Sequence, residues 1–251
     1  MHLIRIDRDG PVTTLTIDRP DARNALNTAA VDELTGALDA FEADGSQAVA
    51  ILTGAGGSFC AGADLKEIAD ARTYRAWAGS ESGMLGAPRS KPLIAAVSGH
   101  AVAGGLGVAL YCDMRLADTT AVFGVFCRRF GVPMSDGTTV RLPRVIGEAR
   151  AMDMMLTGRA VGAVEARTIG LVSEVLAADQ LLPRARALAL KLSAFPQAAL
   201  RSDRQSLLAS RGLELDAALR QEAALAEQAK QTEAAAGASQ FAGGTGRHGQ
   251  T

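Results

Sequence analysis

Two loops of small residues hold the chemistry this sequence can do: Phe59-Cys-Ala-Gly-Ala-Asp-Leu-Lys66 and Gly99-His-Ala-Val-Ala-Gly-Gly-Leu-Gly107. Each follows a strand-like apolar run, and each presents backbone N–H groups where a helix begins. Such groups have no acceptor within their own helix and sit at the positive end of its dipole. Two loops of this kind meeting at one point would form a pocket for negative charge developing on an oxygen, an oxyanion hole made of backbone.

The elements that must carry these loops can be read in order. Runs of alternating apolar residues, His2 to Asp7 and Val12 to Asp18, flank Asp9-Gly10-Pro11 and predict a β-hairpin. Arg19 to Asn27 is a loop, and Asn27 or Thr28 caps a helix whose apolar stripe is Val31, Leu34, Leu38 and Phe41, ended by Asp44-Gly45. Ala48 to Leu52 is a short buried strand feeding the first loop. Leu65 to about Leu85 has weak helical periodicity interrupted by Gly79 and Gly83, which suggests a mobile helical cover.

Leu93 to Val97 is the strand before the second loop. Met114 to Ala117 and Ala121 to Phe123 read as further short strands, and Cys127 to Thr138 as a turn-rich loop. Helical patterns follow over Thr139 to Ile146, Glu148 to Leu156 and Ala163 to Ile169, then a strand from Leu171 to Leu176. Strands alternating with helices argue for an α/β core over residues 1–178. From Asp179 to Ala236, Ala, Leu, Arg, Gln and Glu dominate, with stripes at Leu181, Ala185, Leu188 and Leu192, then Leu215, Leu219 and Leu225, a helical region that packs on its own core or on another subunit. Residues 237–251 hold five glycines and few apolar anchors, as in a loosely held tail.

Composition narrows the function classes. The chain has 251 residues, 48% hydrophobic and 21% charged, enough for one substantial core. Its formal net charge is -1 with scattered basic residues, which argues against nucleic acid as a partner. No charged residue lies between Pro92 and Asp113, a stretch long enough to cross a bilayer. Its four glycines, with Ser98 and His100, suit a buried strand, loop and helix start better than a lone spanning helix. Cys60, Cys112 and Cys127 fit no metal spacing, and the start lacks signal-peptide order. A reducing, cytoplasmic compartment and no membrane association are expected.

Several motifs in order resemble the crotonase (enoyl-CoA hydratase/isomerase) family. They run from Asp18-Arg-Pro-Asp-Ala-Arg-Asn-Ala-Leu-Asn27, through the two loops, Lys91-Pro-Leu-Ile-Ala-Ala-Val97, Tyr111-Cys-Asp-Met-Arg115 and Arg141-Leu-Pro143, to Thr157-Gly-Arg to Leu-Val172. The resemblance implies an α/β spiral of ββα units with a C-terminal helical region, assembled as a homotrimer or a dimer of trimers. It also implies an acyl-CoA thioester substrate, no cofactor beyond that CoA, and a thioester carbonyl held between two backbone N–H groups that match Ala63 and Gly104. The substrate-binding positions carried over are Arg23, Ala25, Ala61, Ala63, Asp64, Leu65, Lys66, Gly104, Gly107 and Cys127. Of these, Lys66 and Arg23 are expected phosphate partners or simply solvated charges.

The departures from the family pattern bear on the reaction. Hydratases of the family resemble Gly-Gly-Gly-Cys-Glu-Leu and Phe-Gly-Gln-Pro-Glu at the positions of the two proton-handling glutamates. Here those positions are Gly107 and Cys127. Asp136, three residues before Thr139, falls where family members that shift dienoyl double bonds also resemble an Asp. A partly desolvated carboxylate there would act as acid or base, or would cap the helix near Thr138, and the two roles are compatible. Cys127 reads as an apolar filler or a reactive thiol. Arg128 and Arg129 would pair with Asp136 or with a substrate carboxylate, or form structural ion pairs. His100 is a proton carrier or a hydrogen-bonded core residue, and Asp113 and Arg115 read as internal pairing.

Three functions compete on these residues. The first is an enzyme acting on acyl-CoA through a stabilised enolate, by enoyl-CoA hydration, double-bond isomerisation or thioester hydrolysis, with Asp136 moving the proton. The second is a non-catalytic acyl-CoA binding protein that kept only the oxyanion hole. The third, a peptidase, requires Ser98 and His100 to be nucleophile and base, for which they lie too close along one strand and loop.

Overall fold

The computed structural model describes residues 2–70 and 83–243, and the expected helical cover falls largely on residues outside them. The strands are β1 (Ile4–Asp9), β2 (Val12–Ile17), β3 (Val49–Gly54), β4 (Leu93–Val97), β5 (His100–Val102), β6 (Met114–Asp118), β7 (Val122–Gly124), β8 (Val161–Gly162) and β9 (Glu174–Leu176). The helices are α1 (Thr28–Ala43), α2 (Leu65–Ala69), α3 (Gly104–Tyr111), α4 (Thr138–Ile146), α5 (Glu148–Thr157), α6 (Ala163–Thr168), α7 (Ala178–Ser193), α8 (Gln197–Ala209), α9 (Leu215–Ala229) and α10 (Ala235–Ala242).

Among the described residues one sheet runs β1-β2-β3-β4-β6-β9 and a second runs β5-β7-β8. β1 and β2 form the expected hairpin, antiparallel, with Asp9 opposite Val12 across Gly10-Pro11. From β2 onward the large sheet is parallel. Parallel strands covered on both faces are apolar throughout, and Leu93–Val97 is buried at every position. β3 and β4 are parallel neighbours, so the loops that follow them leave the sheet at the same edge. That adjacency brings two loops distant in sequence to one place.

α1 starts at Asn27, whose side chain accepts from the Ala30 N–H at 3.0 Å. Its stripe of Val31, Leu34, Leu38 and Phe41 is buried in the main core. Its C-terminus is closed by Lys91, which is 3% exposed. The Lys91 ammonium donates to the carbonyls of Phe41 at 2.7 Å and Asp44 at 2.6 Å and lies over the Phe41 ring. Lys91→Met would leave those carbonyls without the ammonium's charge-assisted bonds. We expect a loss of about 2 to 3 kcal/mol, read as a lower midpoint in urea at unchanged slope.

The structure departs from the sequence reading in two places. The Gly99–Gly107 segment is not all loop, because His100–Val102 forms β5 and pairs with β7. The strand expected over Leu171 to Leu176 is only Glu174–Leu176, since the Leu171 N–H turns back to the Ala166 carbonyl at 2.8 Å. The chain divides into two compact units, residues 1–190 and 191–251. Most of α7 therefore belongs to the first unit, with Leu181, Ala185 and Ala189 buried.

The second unit contains α8, α9, a π-helical turn Lys230–Ala234, and α10. Glu233 accepts from the Ala198 N–H at 2.9 Å at the start of α8. Helix α10 takes in the first part of the expected tail, and residues 244–251 lie outside the described residues. No helix among the described residues is long and apolar enough to cross a membrane, and the uncharged stretch from Pro92 is divided among β4, β5 and α3.

Candidate functional site

The two loops are stitched together by backbone. Cys60 donates to the His100 carbonyl at 2.8 Å and its own carbonyl accepts from Val102 at 3.1 Å, a one-residue parallel bridge to β5. A second bridge joins Ala63 to Leu26 through Leu26 N–H to the Gly62 carbonyl and Asp64 N–H to the Leu26 carbonyl, at 2.7 and 2.9 Å. In such a bridge the central residue's own N–H points the other way. The N–H of Ala63 has no acceptor among the described residues, and neither has that of Gly104, the first residue of α3.

Both residues line one cavity, which contains about 640 Å³ of empty space, its open mouth included. Close approach requires glycine at two points. A Cβ on Gly62 would lie 2.7 Å from the Gly104 nitrogen, and one on Gly105 would lie 2.0 Å from the Cys60 carbonyl oxygen. Between them Ala103 holds φ 50° and ψ -126°, a conformation that costs a non-glycine residue about 1 to 3 kcal/mol. Ala103 and the next residue, Gly104, which opens α3, both line the cavity.

Asp136 reaches the cavity from the loop before α4 and is 3% exposed. Burial pushes its carboxyl above the ordinary aspartate value of 3.8, against the opposing pull of hydrogen bonding from Thr138 and the charge of Arg141. Its Oδ1 accepts from the Thr138 N–H at 2.9 Å, so it caps α4 as well as facing the cavity. Arg141 donates to the Asp136 backbone carbonyl at 3.0 Å and stacks over the Tyr111 ring. The thiols nearby are poor nucleophiles. Burial pushes Cys60 up to about 12, and burial with the adjacent Asp136 also raises Cys127.

Of the sequence-derived positions, Ala61, Ala63, Leu65, Gly104, Cys127 and Asp136 line the cavity. Ala25 is buried away from the lining, and Asp64 forms an ion pair with Arg19 at 3.0 Å and caps α2 through the Lys66 N–H. Arg23, held at φ 50°, and Lys66 are exposed outside the cavity lining. Gly107 is buried inside α3 below Asp136 and does not line the cavity. Arg128 and Arg129 make no ion pair with Asp136. They donate to the carbonyls of Met155 and Gly158, and Arg129 also stacks on Phe126. Arg115 bonds the carbonyls of Leu171 and Cys112, and Asp113 accepts from the Leu93 N–H.

An apolar wall, absent from the sequence reading, closes one side of the cavity. Ile68, Phe126, Phe130, Val132, Pro133 and Met134 form it, most of them from a 3-10 turn at Phe126–Phe130 and the loop after it. The run of apolar residues after Gly124 is its only signal, and a turn-rich loop has no period to reveal which side chains share a face. Among the described residues no cluster of His, Cys, Asp and Glu is placed to hold a metal ion.

A mostly parallel α/β sheet with an apolar cavity at one strand edge, entered by two helix-opening loops, defines the class. The description "Enoyl-CoA hydratase/isomerase" belongs to the family model that matches residues 7–244, and the chain is a member of that family. A Mycobacterium bovis protein named "Probable enoyl-CoA hydratase echA8" is 42% identical over 207 residues, 81% of this chain and 80% of that protein. The 2,3-dehydroadipyl-CoA hydratase of Escherichia coli is 38% identical over 230 residues, 88% of each. The crystal structure of enoyl-CoA hydratase EchA1 from Mycobacterium marinum superposes with a TM-score of 0.90 at 36% identity, covering 96% of this chain and 95% of that one. The fold is therefore crotonase-like, and the chain is an enzyme of the enoyl-CoA hydratase type.

Proposed function

We propose that this enzyme hydrates a 2-enoyl-CoA through a thioester enolate, with Ala63 and Gly104 as the oxyanion donors and Asp136 as the one proton carrier. The observation that carries this reading is a single cavity lined by two unpaired backbone N–H groups and a buried carboxyl group of raised pKa. In the proposed cycle the thioester oxygen accepts from both N–H groups, which lowers the cost of placing charge on it. Asp136 takes a proton from water as the water oxygen bonds to C3, and the electron pair of the C2=C3 bond moves onto the thioester. Asp136 then returns that proton to C2, the thioester carbonyl reforms, and the carboxylate is regenerated. The apolar wall would exclude bulk water from the enolate.

A second reading, double-bond isomerisation, is favoured by one specific feature. Asp136 is the only carboxylate lining the cavity among the described residues, and a 1,3-proton shift needs only one. CoA arrives with the substrate, so neither reaction asks for a further cofactor. Arg23 and Lys66, exposed on the two segments beside Ala63, suit the CoA phosphates. The exposed Leu207, Leu215, Leu219 and Phe241 suit self-association, as a trimer or a pair of trimers, which sedimentation equilibrium would measure. We place the enzyme in the cytoplasm, where its three free cysteines would stay reduced.

A panel of 2-enoyl, 3-enoyl, dienoyl and hydroxyacyl CoA esters separates the readings. Hydration of the 2-enoyl ester at the highest kcat/KM is the expected result. Turnover confined to 3-enoyl or dienoyl esters would make the enzyme an isomerase, and release of free CoA a hydrolase. Binding without turnover of any ester would leave only an acyl-CoA binding protein.

A further inference from the structure

Neither the backbone nor the loop bridge explains the glycine at position 107 of α3. Its φ is not in the left-handed region, and it sits one turn inside a helix, where glycine is disfavoured relative to alanine. What a side chain there would meet is Asp136. A Cβ on Gly107 would lie 2.4 Å from the Asp136 Cγ, 2.6 Å from its Oδ2 and 2.8 Å from its Cβ. Those atoms are poorly able to step aside. Oδ1 is held by the Thr138 N–H at 2.9 Å, the Asp136 carbonyl by Arg141 at 3.0 Å, and the residue is buried.

We propose that Gly107 is the positioning residue for Asp136: by carrying no side chain it empties the space above α3 into which the Asp136 carboxylate is inserted, so that side chains at 107 and 136 exclude each other. The family resemblance leads one to expect a helix-borne glutamate at 107. In this chain a loop-borne carboxylate 29 positions later takes that space, and the two substitute for one another rather than combine. The catalytic part of this inference rests on the reading of Asp136 as the proton carrier, but the exclusion itself is steric and stands apart from it.

The test is a double-mutant cycle of G107A, D136G and G107A/D136G, read by thermal unfolding and by the pH profile of 2-enoyl-CoA turnover. With Asp136 present, G107A is expected to lower Tm by several degrees and kcat by at least about tenfold, a positioning loss of the kind that follows from small misplacements. The pH limb set by Asp136 should move to lower pH, because the displaced carboxylate is better solvated. In the D136G background the same change should leave Tm equal or higher, since alanine is the better helix former. An equal loss of Tm in both backgrounds, or an unchanged kcat and pH limb in G107A, overturns the proposal. If G107A folds too poorly to assay, the double variant must recover, and failure to recover also overturns it. Full turnover by D136N would instead remove the catalytic reading, while the comparison of Tm between backgrounds still decides the steric one.

Discussion

Asparagine in place of Asp136 is expected to lower turnover of a 2-enoyl-CoA by about 10²- to 10⁴-fold, the usual contribution of one positioned proton donor or acceptor. The substitution is chosen because it removes little else. Asparagine keeps the shape above Gly107, and its Oδ1 still accepts from the Thr138 N–H, a bond of 2.9 Å in the native protein. The two loop N–H groups and the apolar wall are untouched, so KM should stay within a few-fold while kcat falls. Steady-state rates at saturating substrate measure this, and an unchanged kcat would mean that some other group moves the proton.

The same carboxyl group sets two pH dependences of opposite kind. In the proposed cycle Asp136 accepts the water proton and must start ionised, so activity is expected to rise with pH through a value above 3.8, because burial raises its pKa. Stability runs the other way. A carboxyl whose folded pKa lies above its unfolded value favours folding fully below the unfolded value, and loses that contribution as pH rises through the folded one. Relative to the native protein, Asp136→Asn should therefore gain stability as pH is raised from below 3.8 to above the raised value. Urea midpoints of the two proteins across that window measure the difference, and a constant gap would show that Asp136 ionises in the folded protein as it does in the unfolded chain.

The sequence disclosed those parts of the molecule in which side chains repeat with a period or a cap marks an end. The β1–β2 hairpin and α1 were legible in this way, through alternation around Gly10 and through the Asn27 cap with its buried stripe. β5 and β8 were not, because strands of three and two residues are too short for a period, and their sheet forms by pairing across long separations. The loops at 59–66 and 99–107 stand out by their small residues. The strain at Ala103 and the Arg19–Asp64 ion pair that braces the first loop left no mark, since each depends on contacts made only after folding. Gly107 and Asp136 are the clearest case. Read separately, one is a missing glutamate and the other an aspartate in a turn. Only the distances between them show that one makes room for the other.

Gly62→Ala is expected to lower kcat by about 10²- to 10³-fold, the cost of losing one oxyanion donor. The added methyl would begin 2.7 Å from the Gly104 nitrogen, 3.0 Å from the Ala103 Cβ and 3.1 Å from the Val102 carbonyl oxygen. These are backbone atoms and a methyl with no rotamer to change, so the loops must part or the methyl must cover the N–H. Under the proposed mechanism either outcome would take the Gly104 N–H away from the thioester oxygen while Ala63 and the apolar wall remain, so the transition state should suffer more than ground-state binding. Gly62 also has φ 94°, and alanine there costs stability whatever the space. Gly57→Ala isolates that cost, because Gly57 has φ 74° and a Cβ on it meets nothing within 4 Å. Both variants should lose thermal stability, and only Gly62→Ala should lose kcat. Equal kcat in the two would show that the Gly104 N–H does not hold the developing oxyanion, because the methyl would then cover a donor the reaction never used.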